Sequence, residues 1–305
     1  MQTNEAVNLI GILGAGAMGS GIAQIASQAG QDVVLFDLSQ EALTTSSANL
    51  QKVMNRLIEK GKVTSDEASA IQERIEKTTV ISRLKDCDLI VEAIVEDLEI
   101  KKRVFKRIEE IVSKEAIIAS NTSSLSITSL ASFCNHPERV IGLHFFNPAP
   151  LMPLVEIIPA LQTKSDLPKQ LMDLMIKWGK SPVIAKDTPG FIVNRVARPF
   201  YGEALRILDE GIADVPTIDA AMRESGFRMG PFQLTDLIGH DVNYSVTESV
   251  FKSFYFDPRY MPSITQLKLV EAGWLGRKSG RGFYTYNEEN LETVVRAIKI
   301  RRTSV

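Results

Sequence analysis

Residues 8–19 read Asn8-Leu9-Ile10-Gly11-Ile12-Leu13-Gly14-Ala15-Gly16-Ala17-Met18-Gly19. The apolar run Leu9, Ile10, Ile12 and Leu13 predicts a short strand buried on both faces, and the six residues after it fit G-x-G-x-x-G. Each glycine of that pattern has its own task. Gly14 permits the tight turn out of the strand, Gly16 lets backbone amides approach a pyrophosphate, and Gly19 lets the next helix pack closely on the sheet. Ala17 and Met18 open that helix, whose N-terminal amides and dipole favour an anion.

Glycine-rich turns are common, so the context decides. Ile22, Ala23, Ile25 and Ala26 continue a helical pattern that stops at Gly30, and a second strand, Val33 to Phe36, ends in Asp37. That acid stands 18 residues past Gly19, close to where a carboxylate accepts hydrogen bonds from adenosine ribose hydroxyls. It would repel a 2′-phosphate, so the cofactor expected is NAD rather than NADP. The competing reading is a structural β-α-β unit with an incidental terminal aspartate.

The chain has 305 residues, 44% hydrophobic and 24% charged, enough for one large domain and a smaller one. Its formal net charge of −2 gives no reason to expect nucleic acid or an anionic membrane as partner. Cys87 and Cys134 have no metal-ligand spacing and read as buried small hydrophobes in a reducing compartment. With no basic leader and no apolar run of membrane-spanning length, the expectation is a cytoplasmic protein without a metal.

Past Asp37, the segment from Gln40 to Lys77 predicts two helices where an ordinary crossover needs one. Leu43, Leu50, Val53, Leu57 and Ile58 suit the first, Gly61 breaks it, and Thr64 with Glu67 resembles a capping box. Lys52, Arg56, Lys60 and Lys62 make this helical hairpin basic, which suits either a solvated face or ligand phosphates. Strands are expected around Thr79 to Ile81 and at Leu89 to Val91, then a helix from Leu98 to Val112. The strand Ala116 to Ala119 runs into Ser120-Asn121-Thr122-Ser123-Ser124, polar residues at the carboxyl end of a buried strand, where open α/β sheets hold ligands.

Val140 to Phe146 reads as a strand carrying His144, with Asn147-Pro148-Ala149-Pro150 forcing a sharp connection into a strand at Leu154 to Ile158. His144 and Glu156 are separated by an even number of residues, which suits two side chains meeting across neighbouring strands. A histidine among apolar residues is also simply a satisfied core residue. If the two meet, the carboxylate orients the ring, as a general acid/base requires.

A helix from Asp166 to Lys180 and a strand from Pro182 to Ala185 end this pattern. From Lys186 onward only helices are expected: Phe191 to Glu210, with an apolar face at Ile192, Val196, Phe200, Ala204, Leu205 and Leu208; then Ile218 to Glu224, Leu234 to Phe254 and Ile264 to Glu271. Gly276-Arg277-Lys278-Ser279-Gly280-Arg281-Gly282-Phe283-Tyr284 suits either a return toward the cofactor or a solvated hairpin. The fold class that follows is α/β: a Rossmann-like, doubly wound, mostly parallel sheet with a helical-hairpin insertion (1–187), then a smaller all-α domain for substrate and dimerisation (188–290) and a tail (291–305) with Lys299, Arg301 and Arg302. Abundant large apolar residues in the helical part predict a homodimer.

Together, G-A-G-A-M-G (14–19), V-E-A-I-V-E (91–96), S-N-T-S-S-L (120–125), H-F-F-N-P (144–148), D-T-P-G-F-I-V-N-R (187–195) and G-R-K-S-G-R-G-F-Y (276–284) resemble the L-3-hydroxyacyl-CoA dehydrogenase family. The resemblance covers about 8–286. It implies oxidation of the 3-hydroxyl of a (3S)-3-hydroxyacyl-CoA with hydride passed to NAD. His144 is then the base and Glu156 its orienting partner, while Ser123 and Asn194 hold the substrate's C3 oxygen. Asp37, Glu96, Lys101, Asn121, Asn147 and Lys278 line the NAD site with the glycine turn, and Lys60 contacts CoA.

Residues 197–206 and 226–232 look like the branch that acts on 3-hydroxyadipyl-CoA in phenylacetate breakdown; the alternative substrate is short-chain 3-hydroxybutyryl-CoA. In the first case Arg198 or Arg228 is the candidate partner of the distal carboxylate; the competing reading of either arginine is a surface or interdomain salt bridge. Two other classes stand beside this reading: a gulonate-type sugar-acid 3-dehydrogenase, which needs no CoA site, and a non-catalytic, crystallin-like NAD-binding protein.

Overall fold

The computed structural model describes residues 7–287 and 290–294. The expected basic end of the tail lies outside the described residues. The chain divides into two compact units, the first ending at Phe191 and the second beginning at Ile192.

In the first unit β1 (Leu9–Leu13) runs into Gly14, whose φ of 101° strains any side chain, and the chain turns into α1 (Ala17–Gln28). A Cβ on Gly14 would stand 2.6 Å from the Ala93 carbonyl oxygen, and one on Gly19 only 1.8 Å from that of Gly14. The helix therefore rests on the turn itself. Gly16 is the N-cap of α1, and a Cβ there would meet nothing within 4 Å, so the space in front of this turn is open.

There follow β2 (Asp32–Phe36), α2 (Gln40–Glu59), α3 (Ser65–Glu73), β3 (Ile75–Thr78), β4 (Leu89–Glu92) and α4 (Leu98–Glu109). Next come β5 (Ile117–Ser120), α5 (Ile127–Ala131), β6 (Val140–Phe145), β7 (Leu154–Pro159), α6 (Leu167–Lys177) and β8 (Ser181–Ile184). Helices α2 and α3 form the expected insertion: Gly61 breaks the chain at φ 63°, and Thr64 and Glu67 cap α3 reciprocally.

Among the described residues these strands make one sheet, ordered β3-β2-β1-β4-β5-β6-β7-β8. The first six are parallel; β7 returns antiparallel to β6 and β8 is parallel to β7. Alternate residues feed two cores. Ile10, Ile12, Val33, Leu35, Leu89 and Val91 pack with α1 and α6 on one face, while Leu13, Val34, Phe36 and Ile90 pack with α4 and α5 on the other. This is the doubly wound sheet that the sequence predicts.

The second unit contains α7 (Val193–Asp209), α8 (Val215–Glu224), α9 (Pro231–Ile238), α10 (His240–Ser253) and α11 (Ile264–Glu271) around Leu205, Val215, Ile218, Phe232, Leu269, Phe283 and Tyr284. Two buried carboxylates organise it. Asp219 accepts from the Phe232 and Gln233 amides at 2.9 Å and from the Tyr284 hydroxyl at 2.6 Å. Asp236 accepts from the Phe283 and Tyr284 amides at 3.0 Å, from the Tyr286 hydroxyl at 2.8 Å and from His240 at 2.6 Å.

Four expectations need correction. The third strand is Ile75–Thr78, because Ile75 is the buried partner of Val33; Ile81–Leu84 is a short 3-10 turn and Val80 is exposed. The single helix expected over Leu234 to Phe254 is two, parted at Gly239 with φ 99°. The buried stripe of α7 is Arg198, Tyr201, Ala204 and Leu205, whereas Ile192 and Val196 are exposed. Finally, Gly276 and Gly282 serve close backbone approach to Asp236, where a Cβ on either would come within 2.2 Å.

The glycine turn sets a stability contrast. Gly19→Ala has no room and costs upward of about 3 kcal/mol or abolishes soluble folding, whereas Gly16→Ala costs about 1 kcal/mol at most. Urea unfolding followed by tryptophan fluorescence measures both, and equal losses would contradict the geometry. Burial also pushes the Cys87 and Cys134 thiols up to about 12, so Ellman's reagent should find well under one reactive thiol in native protein and both after denaturation.

Candidate active site

The carboxyl ends of β1, β2, β4, β5 and β6 carry a row of polar groups. Past the end of β2, Asp37 accepts from the Ala15 amide at 2.7 Å and the Ser39 amide at 2.8 Å, so its half-buried carboxylate is tied to the glycine turn. One strand over, Glu92 closes β4 at 1% exposure and receives Lys101 Nζ at 2.5 Å and the Ser120 hydroxyl at 2.7 Å. Lys101, from α4, also lies 3.3 Å from Glu96. A buried ion pair of this kind tolerates the loss of neither partner.

Glu96 Oε1 accepts from the Thr122 hydroxyl at 2.5 Å, the Ser123 amide at 3.0 Å and the Ser124 amide at 3.2 Å. One exposed carboxylate thus shapes the turn bearing Ser123. Asn121, just past β5, fastens to both neighbouring strands: its backbone amide donates to the Glu92 carbonyl of β4 and its Oδ1 accepts from the Phe145 amide of β6, each at 2.8 Å. The hydroxyl-rich stretch is consequently a network, with Ser126 left to cap α5.

On β6, His144 stands directly opposite Glu156 of β7 in the antiparallel register. His144 Nδ1 and Glu156 Oε2 are 2.7 Å apart, and the two residues are 3% and 0% exposed. Phe146 and Phe191 flank the imidazole at ring-centre distances of 4.5 and 5.6 Å. A carboxylate on Nδ1 holds the proton there and leaves the Nε2 lone pair as the basic atom. Because β6 is parallel to β5, β4 and β1, His144 lies at the same end of the sheet as Gly14 to Gly19.

The connection after β6 returns toward α1, where a Cβ on Gly21 would meet Pro150 at 3.0 Å and Ala149 at 3.2 Å. Lys180 donates to the carbonyls of Ala149 and Met152 at 2.7 and 3.0 Å and so holds this connection. Burial pulls the Lys180 ammonium below its ordinary range. Asn147 is exposed on the same connection, and Lys60 is exposed at the end of α2.

Asn194 and Lys278 belong to the second unit. Asn194 lies in the first turn of α7, with Arg198 Nη2 at 3.4 Å from its Oδ1. Lys278 pairs with Asp241 at 2.6 Å, and its hydrogen bond offsets burial to hold that carboxyl below the usual range. Sequence reading gave no role to Glu92, Lys180 or Asp187. The signal for Glu92 was present, an acid closing an otherwise apolar strand; for the contacts of Asp187, which accepts from the Ile127 and Thr128 amides at 3.0 and 2.7 Å, no local pattern gives one.

The residues present fit a dinucleotide. The N-terminus of α1 has no side-chain cap, the space before Gly16 is open, and an acid follows β2. The profile of the 3-hydroxyacyl-CoA dehydrogenase NAD-binding domain matches residues 9–188, and that of the same family's C-terminal domain matches 190–286. A 3-hydroxyadipyl-CoA dehydrogenase of Escherichia coli K12 is 46% identical over 95% of this chain, which spans 61% of that protein's length. A probable 3-hydroxybutyryl-CoA dehydrogenase of Deinococcus radiodurans is 44% identical over 90% of this chain and 99% of its own. The crystal structure of 3-hydroxybutyryl-CoA dehydrogenase from E. coli K12 superposes with a TM-score of 0.90 at 45% identity, over 97% of this chain and 63% of that one. The chain belongs to the 3-hydroxyacyl-CoA dehydrogenase family.

Proposed function

We propose that this chain catalyses NAD-dependent oxidation of the 3-hydroxyl of a (3S)-3-hydroxyacyl-CoA to the 3-oxoacyl-CoA. The observation that carries the reading is the buried His144–Glu156 pair at the end of the sheet where the glycine turn lies. His144 Nε2 takes the hydroxyl proton as the C3–H bond gives up its electron pair, and Glu156 steadies the imidazolium that results. Bound NAD supplies the acceptor for that hydride.

Ser123 is held by Glu96 through its amide, and we assign it, with Asn194, to the substrate's C3 oxygen. Asp37, the glycine turn with Ala17 and Met18, Glu96, Lys101, Asn121, Asn147 and Lys278 are assigned to NAD, and Lys60 to CoA. The relatives' names divide over the acyl chain, one adipyl and one butyryl. Of these we favour 3-hydroxyadipyl-CoA, which places the enzyme in phenylacetate breakdown. Unpaired buried thiols suit a cytoplasmic setting.

We further propose a homodimer through the helical unit. Val196, Ile212 and Ile264 are each about 70% exposed there, apolar surface that a second copy would cover. Light scattering at micromolar concentration should give twice the chain mass; a monomer would remove the proposal.

His144→Gln should lower kcat on the order of 100- to 10,000-fold while NADH affinity, read by fluorescence, stays within a few-fold. Near-normal turnover in this variant would refute the base assignment.

A further inference from the structure

Arg198 is buried in the helical unit at 5% exposure, and every acceptor it finds is neutral. Its Nη1 donates to the Asn243 carbonyl at 2.8 Å and the Thr247 hydroxyl at 2.9 Å, and its Nη2 to Asn194 Oδ1 at 3.4 Å. Its Nε has no partner, and neither has the buried Nδ2 of Asn243 beside it. Both orphans are donors, so this neighbourhood lacks an acceptor. Among the described residues no carboxylate pairs with Arg198, whereas Arg139, the other buried arginine, has Glu109 at 3.5 Å. Burial accordingly pulls the Arg198 guanidinium down to about 10. An ion buried without a counter-ion is costly, and two adjacent unmet donors add to that cost.

A cavity adjoins the guanidinium, lined by Arg198, Tyr201, Thr247, Tyr260, Ser263 and Gln266. All these residues belong to the helical unit. Arg228, the other arginine considered for this role, is exposed and lies elsewhere on the unit's surface. Arg259 also borders the cavity but already pairs with Asp257 at 2.6 Å.

We propose that Arg198 forms a carboxylate site that selects acyl-CoA substrates carrying a second carboxyl group at the far end of a six-carbon chain. The proposal rests on the dehydrogenase reading and on Asn194 as a holder of the C3 oxygen. Arg198 Nη2 lies 3.4 Å from Asn194 Oδ1, so the guanidinium stands next to the side chain assigned to the C3 oxygen. From C3 to C6 of an extended acyl chain is roughly 4 Å, with the carboxyl oxygens about 1 Å beyond. The C6 carboxylate is therefore within reach of the guanidinium, and a chain that ends at C4 carries no group to pair with it. Planar two-point binding to Nε and a second guanidinium nitrogen is the geometry that arginine offers a carboxylate.

The test compares kcat/KM for 3-hydroxyadipyl-CoA and 3-hydroxyhexanoyl-CoA, which differ only by carboxylate against methyl at C6. Wild type should prefer the dicarboxylic substrate, and Arg198→Met should lower that ratio on the order of 100-fold. Arg198→Lys, which keeps the charge but not the fork, should lower it less and guards against a folding defect. Free adipate should raise the Tm of wild type and not that of Arg198→Met. A wild-type preference for the hexanoyl substrate overturns the proposal, as does an equal fall for both substrates in both variants. Loss of the dimer in Arg198→Met with an unchanged ratio also overturns it, since the counter-ion then comes from a second copy. The two readings fail separately: turnover of both thioesters without selectivity or adipate protection removes only the carboxylate site. Adipate protection without turnover of either removes the dehydrogenase reading.

Discussion

The register between β6 and β7 is the constraint on which the site depends. Side chains alternate along a strand, so a slip of one residue would carry Glu156 to the opposite face and leave both a carboxylate and an imidazole buried without partners. The chain protects this register from several sides. Asn121 holds the Phe145 amide next to His144, Lys180 gathers the carbonyls of the connection, and β8 pairs Val183 with Glu156. A dyad with so little exposure is held by backbone pairing more than by its own hydrogen bond.

The same economy recurs along the sheet. Glu92, Lys101 and Ser120 satisfy one another where β4 and β5 end, and Glu96 passes the arrangement on to the turn of Ser123. Asp37 joins the end of β2 to the glycine turn. Each carboxylate thereby orders the loop next to its strand, and a surface of fixed amides and hydroxyls results without any large movement of backbone. Sites built in this way lose little entropy when a ligand arrives.

Much of this was legible in the sequence, for identifiable reasons. Glycine spacing, apolar strands and an acid at the end of the second strand are local signals, and they located β1, α1, β2 and Asp37 to within a residue or two. The even separation of His144 and Glu156 became informative because the connection between them is short. What failed depends on tertiary context. Ile75 was hidden at a helix end, Gly239 was lost in a continuous apolar pattern, and the buried stripe of α7 includes Arg198, whose charge sets it outside an apolar pattern. Gly276 and Gly282 look like phosphate-loop glycines, yet their nearest neighbour is the buried Asp236, which no local pattern can reveal.

The clamping of residues 283–286 by Asp219 and Asp236 has a consequence for how the protein is made. While a ribosome is still decoding that stretch, α8 and α9 have already emerged with two aspartates destined for the interior and only part of their donors synthesised. Short of the rest, those carboxylates favour water over hydrocarbon. The helical unit must therefore wait for almost its last described residues before it can close.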